Sequence, residues 1–133
     1  MTHAASTGWG KCLPPNVLTN ADLATFLDTN DEWITSRTGI SERRISHVSL
    51  EEMAYVSSMR ALAAAGLDPA DVELIVIGTC SFDDQVPNQA SGLQVRLGAK
   101  RAAAYDVNTA CTSFLYALST ANGLIRTGLV VRA

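Results

Sequence analysis

Between Glu73 and Thr79 the chain reads ELIVIGT, and the stretch Leu74 to Ile77 is its longest aliphatic run. A strand that is apolar on both faces has to be covered on both, as in a parallel sheet sandwiched between helical layers. A turn, Leu67-Asp68-Pro69-Ala70-Asp71, leads into it, and a loop from Thr79 to Pro87 leads out. The loop lies at the carboxyl end of the strand, the edge of an open α/β sheet where ligands tend to bind. Downstream, Asn88 to Leu97 reads as a helix stopped by Gly98, and Ala103 to Val107 as a second short strand closed by Asn108-Thr109. From Cys111 onward Phe114, Leu118, Ala121 and Ile125 recur at helical spacing, Leu115 and Leu124 widen the stripe, and Gly128 falls where a left-handed cap belongs.

Upstream, Thr2 to Thr7 reads as a first strand of weak propensity, ended by Gly8 and Gly10. Pro14-Pro15 cannot continue regular structure. Thr19 offers an N-cap with Asp22 near the N3 position, which predicts a short helix through Leu27. A second helix is predicted from Asp31 to Arg37, capped by Asn30 and stopped by Gly39. Thr38 to Arg44 reads as an exposed turn or edge. Ser49 and Glu52 form a capping box that opens a long helix to Ala65, ended by Gly66, whose many alanines imply close approach to its neighbours. Leu129-Val130-Val131 resembles the start of another strand. This alternation predicts an α/β layered domain with a largely parallel sheet.

With 133 residues the chain suits one modest domain, and 47% hydrophobic against 17% charged residues is an ordinary globular balance. A net charge of −3 gives no basic field for nucleic acid. Cys12, Cys80 and Cys111 are widely spaced, without a CxxC pair or a nearby histidine, so they read as thiols in a reducing compartment and not as a metal site. No run is long enough to cross a bilayer and no signal sequence is visible, so the expected location is cytoplasmic.

Two places carry chemistry. Cys111 falls where a strand turns into a helix, and the unpaired N–H groups and positive dipole end there favour a thiolate, the nucleophilic form of cysteine. The plain alternative is a small buried hydrophobe. Trp33 and Arg37 are four apart on one predicted helix, so an indole and a guanidinium share a face. Together they can grip a flat heteroaromatic ring and meet a phosphate, or they can form an ordinary cation–π pair on a helix surface. Arg43 and Arg44 suit a solvated face, and His3 and His47 read as surface histidines.

Nearly the whole chain resembles the N-terminal half of the β-ketoacyl-acyl carrier protein synthase III family, condensing enzymes of the thiolase superfamily. The resemblance is carried by TGWGKCLP at Thr7–Pro14, DTNDEWITSRTGISER at Asp28–Arg43, ELIVIGT at Glu73–Thr79 and YDVNTACTSFLYAL at Tyr105–Leu118. It implies the thiolase-like fold, in which two halves related by pseudo-twofold symmetry form an αβαβα layered sandwich, with residues 1–133 as the N-terminal half-domain, incomplete as given. It also implies that Cys111 is acylated by acyl-CoA and that the acyl group then undergoes decarboxylative Claisen condensation with malonyl-acyl carrier protein, initiating fatty-acid synthesis. Trp33 and Arg37 match residues that flank the adenine of coenzyme A, and Thr29 matches a third contact to that nucleotide. Val86 matches a position, often aromatic, that reaches across a homodimer interface to close the partner's acyl tunnel, so a valine implies a deeper pocket; the plain alternative is a loop hydrophobe covering the core. In the family, basic residues around the site entrance help to attract the coenzyme A phosphates and the acidic carrier protein, and Arg43 and Arg44 are candidates for that work. No resident cofactor or metal is implied.

The family mechanism also needs a histidine and an asparagine from the C-terminal half, and no position here matches either. Beside the nucleophile, Thr112-Ser113 replaces an Ala-Gly pair found in some members, a change that either alters acyl access or repacks the helix start. Half of a packed core would expose a large apolar face. Related condensing enzymes of polyketide, quinolone or olefin biosynthesis fit the same residues, as does a non-catalytic coenzyme A-binding subunit or inactive fragment.

Overall fold

The computed structural model describes residues 3–82 and 84–133, which fall into two compact units, Leu13–Ser49 and Met1–Cys12 together with Leu50–Ala133. In the larger unit, β3 (Leu74–Gly78) and β4 (Ala103–Val107) pair in parallel, in a register running from Leu74 opposite Ala103 to Gly78 opposite Val107. The connection between them contains α4 (Gln89–Leu97), begun by Asn88, whose side chain accepts from the Ser91 N–H at 2.8 Å, and ended by Gly98 with a left-handed φ of 73°. Strand, helix and parallel strand are as the apolar pattern predicted.

Side chains alternate across a strand, so β3 presents Ile75 and Ile77 to one face and Leu74, Val76 and Gly78 to the other. The first face joins the core, where Val72, Ile75, Ala90, Leu93, Leu97, Ala99 and Ala102 are buried against one another. Tyr55 and Leu62 of α3 (Leu50–Ala65) pack against that cluster. The Arg96 guanidinium fastens α3 to α4, standing 4.4 Å from the Tyr55 ring centroid and pairing with Glu51 and Glu52. The second face meets α5 (Ser113–Arg126), where a Cβ on Gly78 would lie 2.9 Å from the Ser113 carbonyl carbon. The strand is therefore covered on both faces, as its sequence requires.

The close approach expected of the alanine-rich α3 is made with the N-terminal segment. A Cβ on Gly8 would lie 2.3 Å from the Ala61 carbonyl oxygen, and one on Gly10 would lie 2.1 Å from that of Ser57. The strand expected at Thr2–Thr7 is not present from His3 onward, and Thr2 lies outside the described residues. An Ala- and Ser-rich run has little intrinsic preference for a pleated surface, and here it follows a helix instead of a sheet edge. Leu129 to Val131 does not form a strand either. This segment is tied to the entry of β3, where the Arg132 carbonyl accepts from the N–H groups of Glu73 (3.0 Å) and Leu74 (3.2 Å).

The smaller unit holds an antiparallel pair that the sequence reading did not anticipate. β1 (Asn16–Thr19) runs against β2 (Glu42–Ile45), with Asn16 opposite Ile45 and Thr19 opposite Glu42. Arg43 and Arg44 thus sit in a strand, not in a turn. The Thr19–Asp22 capping box forms, and the Thr19 hydroxyl and N–H donating to the Asp22 carboxylate hold its pKa below the ordinary value. The helix it opens, α1 (Asn20–Leu23), ends well before the expected Leu27. α2 (Asp31–Thr38) matches expectation, with Asn30 Oδ1 accepting from Trp33 N–H at 2.8 Å and Gly39 left-handed at φ 71°. At the centre is Asn20, 1% exposed, whose amide donates to Asp31 Oδ1 (2.7 Å) and the Ile40 carbonyl (2.8 Å), while its oxygen accepts from Arg43 Nη1 (2.8 Å). No helix among the described residues is long and apolar enough to cross a membrane.

Candidate active site

Cys111 occupies a single 3₁₀ turn, Ala110–Thr112, between the end of β4 and the first residue of α5. Within this chain Cys111 is an exposed free cysteine. The residue before it, Ala110, has φ 50°, a left-handed conformation that costs an L-residue roughly 1–2 kcal/mol. Ser113, 3% exposed, holds the turn in this shape: its hydroxyl accepts from Thr109 N–H at 2.9 Å and donates to the Ala110 carbonyl at 2.8 Å. Of the two outcomes open for the Thr112-Ser113 pair, the structure favours a role at the helix start, because the serine stitches the turn to α5. Thr112 adds a bond from its hydroxyl to the Thr109 carbonyl at 2.7 Å.

The helix behind this turn has an unusual surface. Phe114, Leu115, Tyr116 and Leu118 are 55–70% exposed, and Leu129 and Val131 nearby in sequence are also exposed. The stripe predicted for α5 is real, but within this chain most of its large side chains cover nothing. The expectation of a large uncovered apolar face is met.

In the smaller unit, Thr29 and Trp33 line a concavity of about 520 Å³ together with Leu23, Leu27, Asp28, Asn30 and Ile34. The Thr29 hydroxyl oxygen is buried without a hydrogen-bond partner, which ordinarily costs about 1–3 kcal/mol unless a ligand or water meets it. Trp33 is 58% exposed. Arg37 is exposed one turn further along α2 but does not line the concavity. The ring–cation contact among the described residues is the one between Arg96 and Tyr55, so the surface cation–π alternative for Trp33 and Arg37 does not describe this molecule.

Val86 is 90% exposed and covers no core within this chain. Arg43 spends one guanidinium nitrogen on Asn20, and Arg44 lies 3.5 Å from Glu42, so both have partners inside their own unit. His3 and His47 are exposed, as expected. Among the described residues no cluster of three metal-binding side chains occurs.

Two residues at these sites, Asn20 and Asp106, escaped the sequence reading, and Ser113 entered it only within the Thr112-Ser113 pair. Asn20 left a faint trace, since asparagine is a poor residue for the first turn of a helix unless its side chain is otherwise engaged. Asp106 left a clearer one, because a carboxylate in the middle of a buried strand needs partners. It finds them in the N–H groups of Gln89 and Ala90, each at 2.9 Å.

Residues 34–131 match the thiolase N-terminal domain, and the chain belongs to that family. Among curated relatives it is 55% identical over 126 residues to β-ketoacyl-[acyl-carrier-protein] synthase III 2 of Vibrio vulnificus strain YJ016, covering 95% of this chain and 35% of that protein. Among solved structures it superposes on 3-oxoacyl-[acyl-carrier-protein] synthase III from Aquifex aeolicus VF5 with a TM-score of 0.87 and 43% identity, over 92% of this chain and 40% of that one. It also superposes on the priming β-ketosynthase of the R1128 polyketide pathway, with a TM-score of 0.85 and 34% identity over 90% of this chain and 36% of that one. The resemblance drawn from the four motifs is upheld, as is the thiolase-like fold. The chain spans little more than a third of the length of these relatives, so it contains part of that fold.

Proposed function

We propose that this chain is the N-terminal half-domain, residues 1–133, of a cytoplasmic β-ketoacyl-acyl carrier protein synthase III. In this reading it works with the half that carries the condensing histidine and asparagine, and the assembled enzyme is a homodimer. The observation that carries the proposal is the exposed Cys111 in a tied, strained turn between β4 and α5, in a chain of the thiolase N-terminal family.

Cys111 Sγ, as the thiolate, attacks the thioester carbonyl of acyl-CoA. The C–S bond to coenzyme A breaks, coenzyme A leaves as its thiolate and takes up the proton that Cys111 gave up on ionising, and the acyl group stays on Cys111 as a new thioester. The oxyanion formed on the way is met by the Cys111 backbone N–H and by a second donor from the missing half. Malonyl-acyl carrier protein then loses carbon dioxide, and the enolate that remains attacks the acyl carbonyl. The new C–C bond forms as the C–S bond breaks, returning Cys111 and releasing β-ketoacyl-acyl carrier protein. Thr29, Trp33 and Arg37 hold the nucleotide end of coenzyme A, the orphaned Thr29 hydroxyl gaining a partner when it binds. Val86 serves the acyl tunnel.

The likeness to a polyketide priming enzyme supports a second reading, in which the same cysteine primes a polyketide chain. One experiment tests the common core. Intact-mass measurement of the assembled protein after incubation with acetyl-CoA should show one acyl group per chain on Cys111, and Cys111→Ala should take up none. An unmodified wild-type protein would favour a non-catalytic coenzyme A-binding subunit. Acceptor specificity, tested with malonyl-acyl carrier proteins of the two pathways, separates the synthase from its polyketide counterpart.

A further inference from the structure

Asp106 is half-buried in the middle of β4, opposite Ile77 of β3, and both of its carboxylate oxygens are engaged. Oδ2 accepts from Gln89 N–H and Oδ1 from Ala90 N–H, each at 2.9 Å. Those are the first two residues of α4, and they are 8% and 0% exposed. Asn88 takes the next donor, Ser91 N–H, at 2.8 Å. The opening N–H groups of α4 are thus distributed between an N-cap within the loop and a carboxylate on a different strand. Charge-assisted bonds of this kind are short and about twice as strong as neutral ones, and the positive end of the helix reinforces them.

The location gives the clamp its consequence. Val86 stands three residues before Gln89, at the end of the loop that leaves β3, and Cys111 stands five residues after Asp106, in the turn that leaves β4. One strand therefore anchors both the segment bearing Val86 and the segment bearing the nucleophile. The loop residue itself is 90% exposed within this chain. Pro87 and Asn88 join it to the start of α4.

We propose that Asp106 is a positioning residue for acyl-chain selection. By holding the Gln89 and Ala90 N–H groups it fixes Val86 relative to β4, and in a symmetric dimer β4 is the common frame for the nucleophile of each subunit and for the loop that closes its neighbour's tunnel. This rests on the reading of Cys111 and Val86 given above. A short acyl group does not reach the loop, whereas a long one does, so loss of the clamp penalises long donors selectively.

The test uses the assembled enzyme and three proteins: wild type, Asp106→Asn and Gln89→Pro. The asparagine keeps one acceptor oxygen but turns an amide donor toward an N–H donor. The proline removes the Gln89 donor at the first helical position, where proline is tolerated, and it leaves Asp106 in place should the first variant fail to fold. Rates of Cys111 acylation are followed by mass over a concentration series of acetyl-CoA and octanoyl-CoA, beside alkylation of Cys111 by iodoacetamide. The expected result is a roughly tenfold fall in the octanoyl-to-acetyl ratio of kcat/KM in both variants, carried by KM, with the iodoacetamide rate unchanged; tenfold is the scale of one lost hydrogen bond to a charged group. A lowered Tm with an unchanged ratio would make Asp106 a helix cap only and overturn the inference. Equal loss for both donors and for iodoacetamide would overturn it too, by assigning Asp106 to the turn of Cys111. A wild-type protein that takes no acyl group from either donor would overturn the functional reading and this inference with it.

Discussion

Helices α4 and α5 both lie against strand β3, and they have opposite fates. α4 buries Gln89, Ala90, Leu93 and Leu97 in the core of the larger unit, whereas α5 buries only Ser113 and Ala117 and leaves Phe114, Leu115, Tyr116 and Leu118 open. Yet α5 is the more apolar of the two in sequence. Burial is thus decided by which partners are at hand and not by how apolar a stripe is. α4 has its partners in this chain, namely β3, β4 and α3. α5 has β3 and β4 on one side, while Phe114, Leu115, Tyr116 and Leu118 stay exposed among the described residues, in a chain that spans 35% of its Vibrio vulnificus relative.

The largest effect expected from this contrast is on stability. Leu93→Ala empties a site that is 3% exposed, so it should destabilise the chain by about 2–5 kcal/mol in urea unfolding. Leu118→Ala, at a site 55% exposed, should stay within about 0.5 kcal/mol in the chain by itself. In the assembled protein the second value should rise toward the first. Equal and large losses in the isolated chain would mean that α5 is packed after all, and the contrast would collapse.

A sharper probe lies where α5 touches β3. Gly78→Ala places a Cβ about 3 Å from Ser113, against backbone that cannot swing aside, and overpacking of this kind costs roughly 1–3 kcal/mol. The displaced element is the start of α5, so the turn of Cys111 should move with it. Lower stability together with a changed rate of Cys111 alkylation is the expected pair of readouts. A stable variant with an unchanged rate would show that α5 is free to slide on the sheet.

Much of the larger unit could be read from sequence because its signals are local and agree with one another. ELIVIGT can only be a strand covered twice, Asn88 and Gly98 bracket a helix, and Cys111 marks the passage from strand to helix. What could not be read depends on partners distant in sequence. β1 and β2 each contain four residues separated by 22 others, and nothing in Asn-Val-Leu-Thr or Glu-Arg-Arg-Ile announces the pairing. Leu129 to Val131 has the composition of a strand but no slot in the two-stranded sheet of its unit. At the candidate site, the motifs single out Thr29, Trp33 and Cys111 as candidates, because side-chain type and chemistry go together there. They could not reveal Ser113 or Asp106 as fasteners, since a hydroxyl or carboxylate acquires that role only when folding brings backbone donors to it.

Ser113 offers a smaller test of the same idea. Ser113→Ala removes the acceptor of the Thr109 N–H and the donor to the Ala110 carbonyl, while the left-handed Ala110 remains. A loss of about 1–2 kcal/mol is expected from two neutral hydrogen bonds, partly offset by the water that replaces them. Ser113→Ala with Ala110→Gly should recover part of it, because glycine adopts φ of 50° without strain. Failure of the glycine to recover any stability would mean that the turn is held by something other than the serine.

The smallest effect should appear at the other end of α5, where the chain comes back to β3. The Glu73 carboxylate accepts from Val131 N–H at 2.5 Å, and this bond, with weaker help from Arg132 N–H, Arg101 and Arg132, outweighs desolvation and holds Glu73 below its ordinary value of 4.5. A carboxylate whose pKa is lowered by folding stabilises the folded form fully above its unfolded value. That contribution disappears as the pH falls through the lowered value, when the acid is protonated in both states. The segment from Leu129 onward should therefore loosen below pH 4.5 while β3 and α4 stay in place. Amide hydrogen exchange would register this as faster exchange at Val131 than the falling pH alone predicts, and Glu73→Gln should show the loosened rate already at neutral pH. If Val131 exchanged identically in wild type and Glu73→Gln, the tail would be held by the Arg132 carbonyl alone.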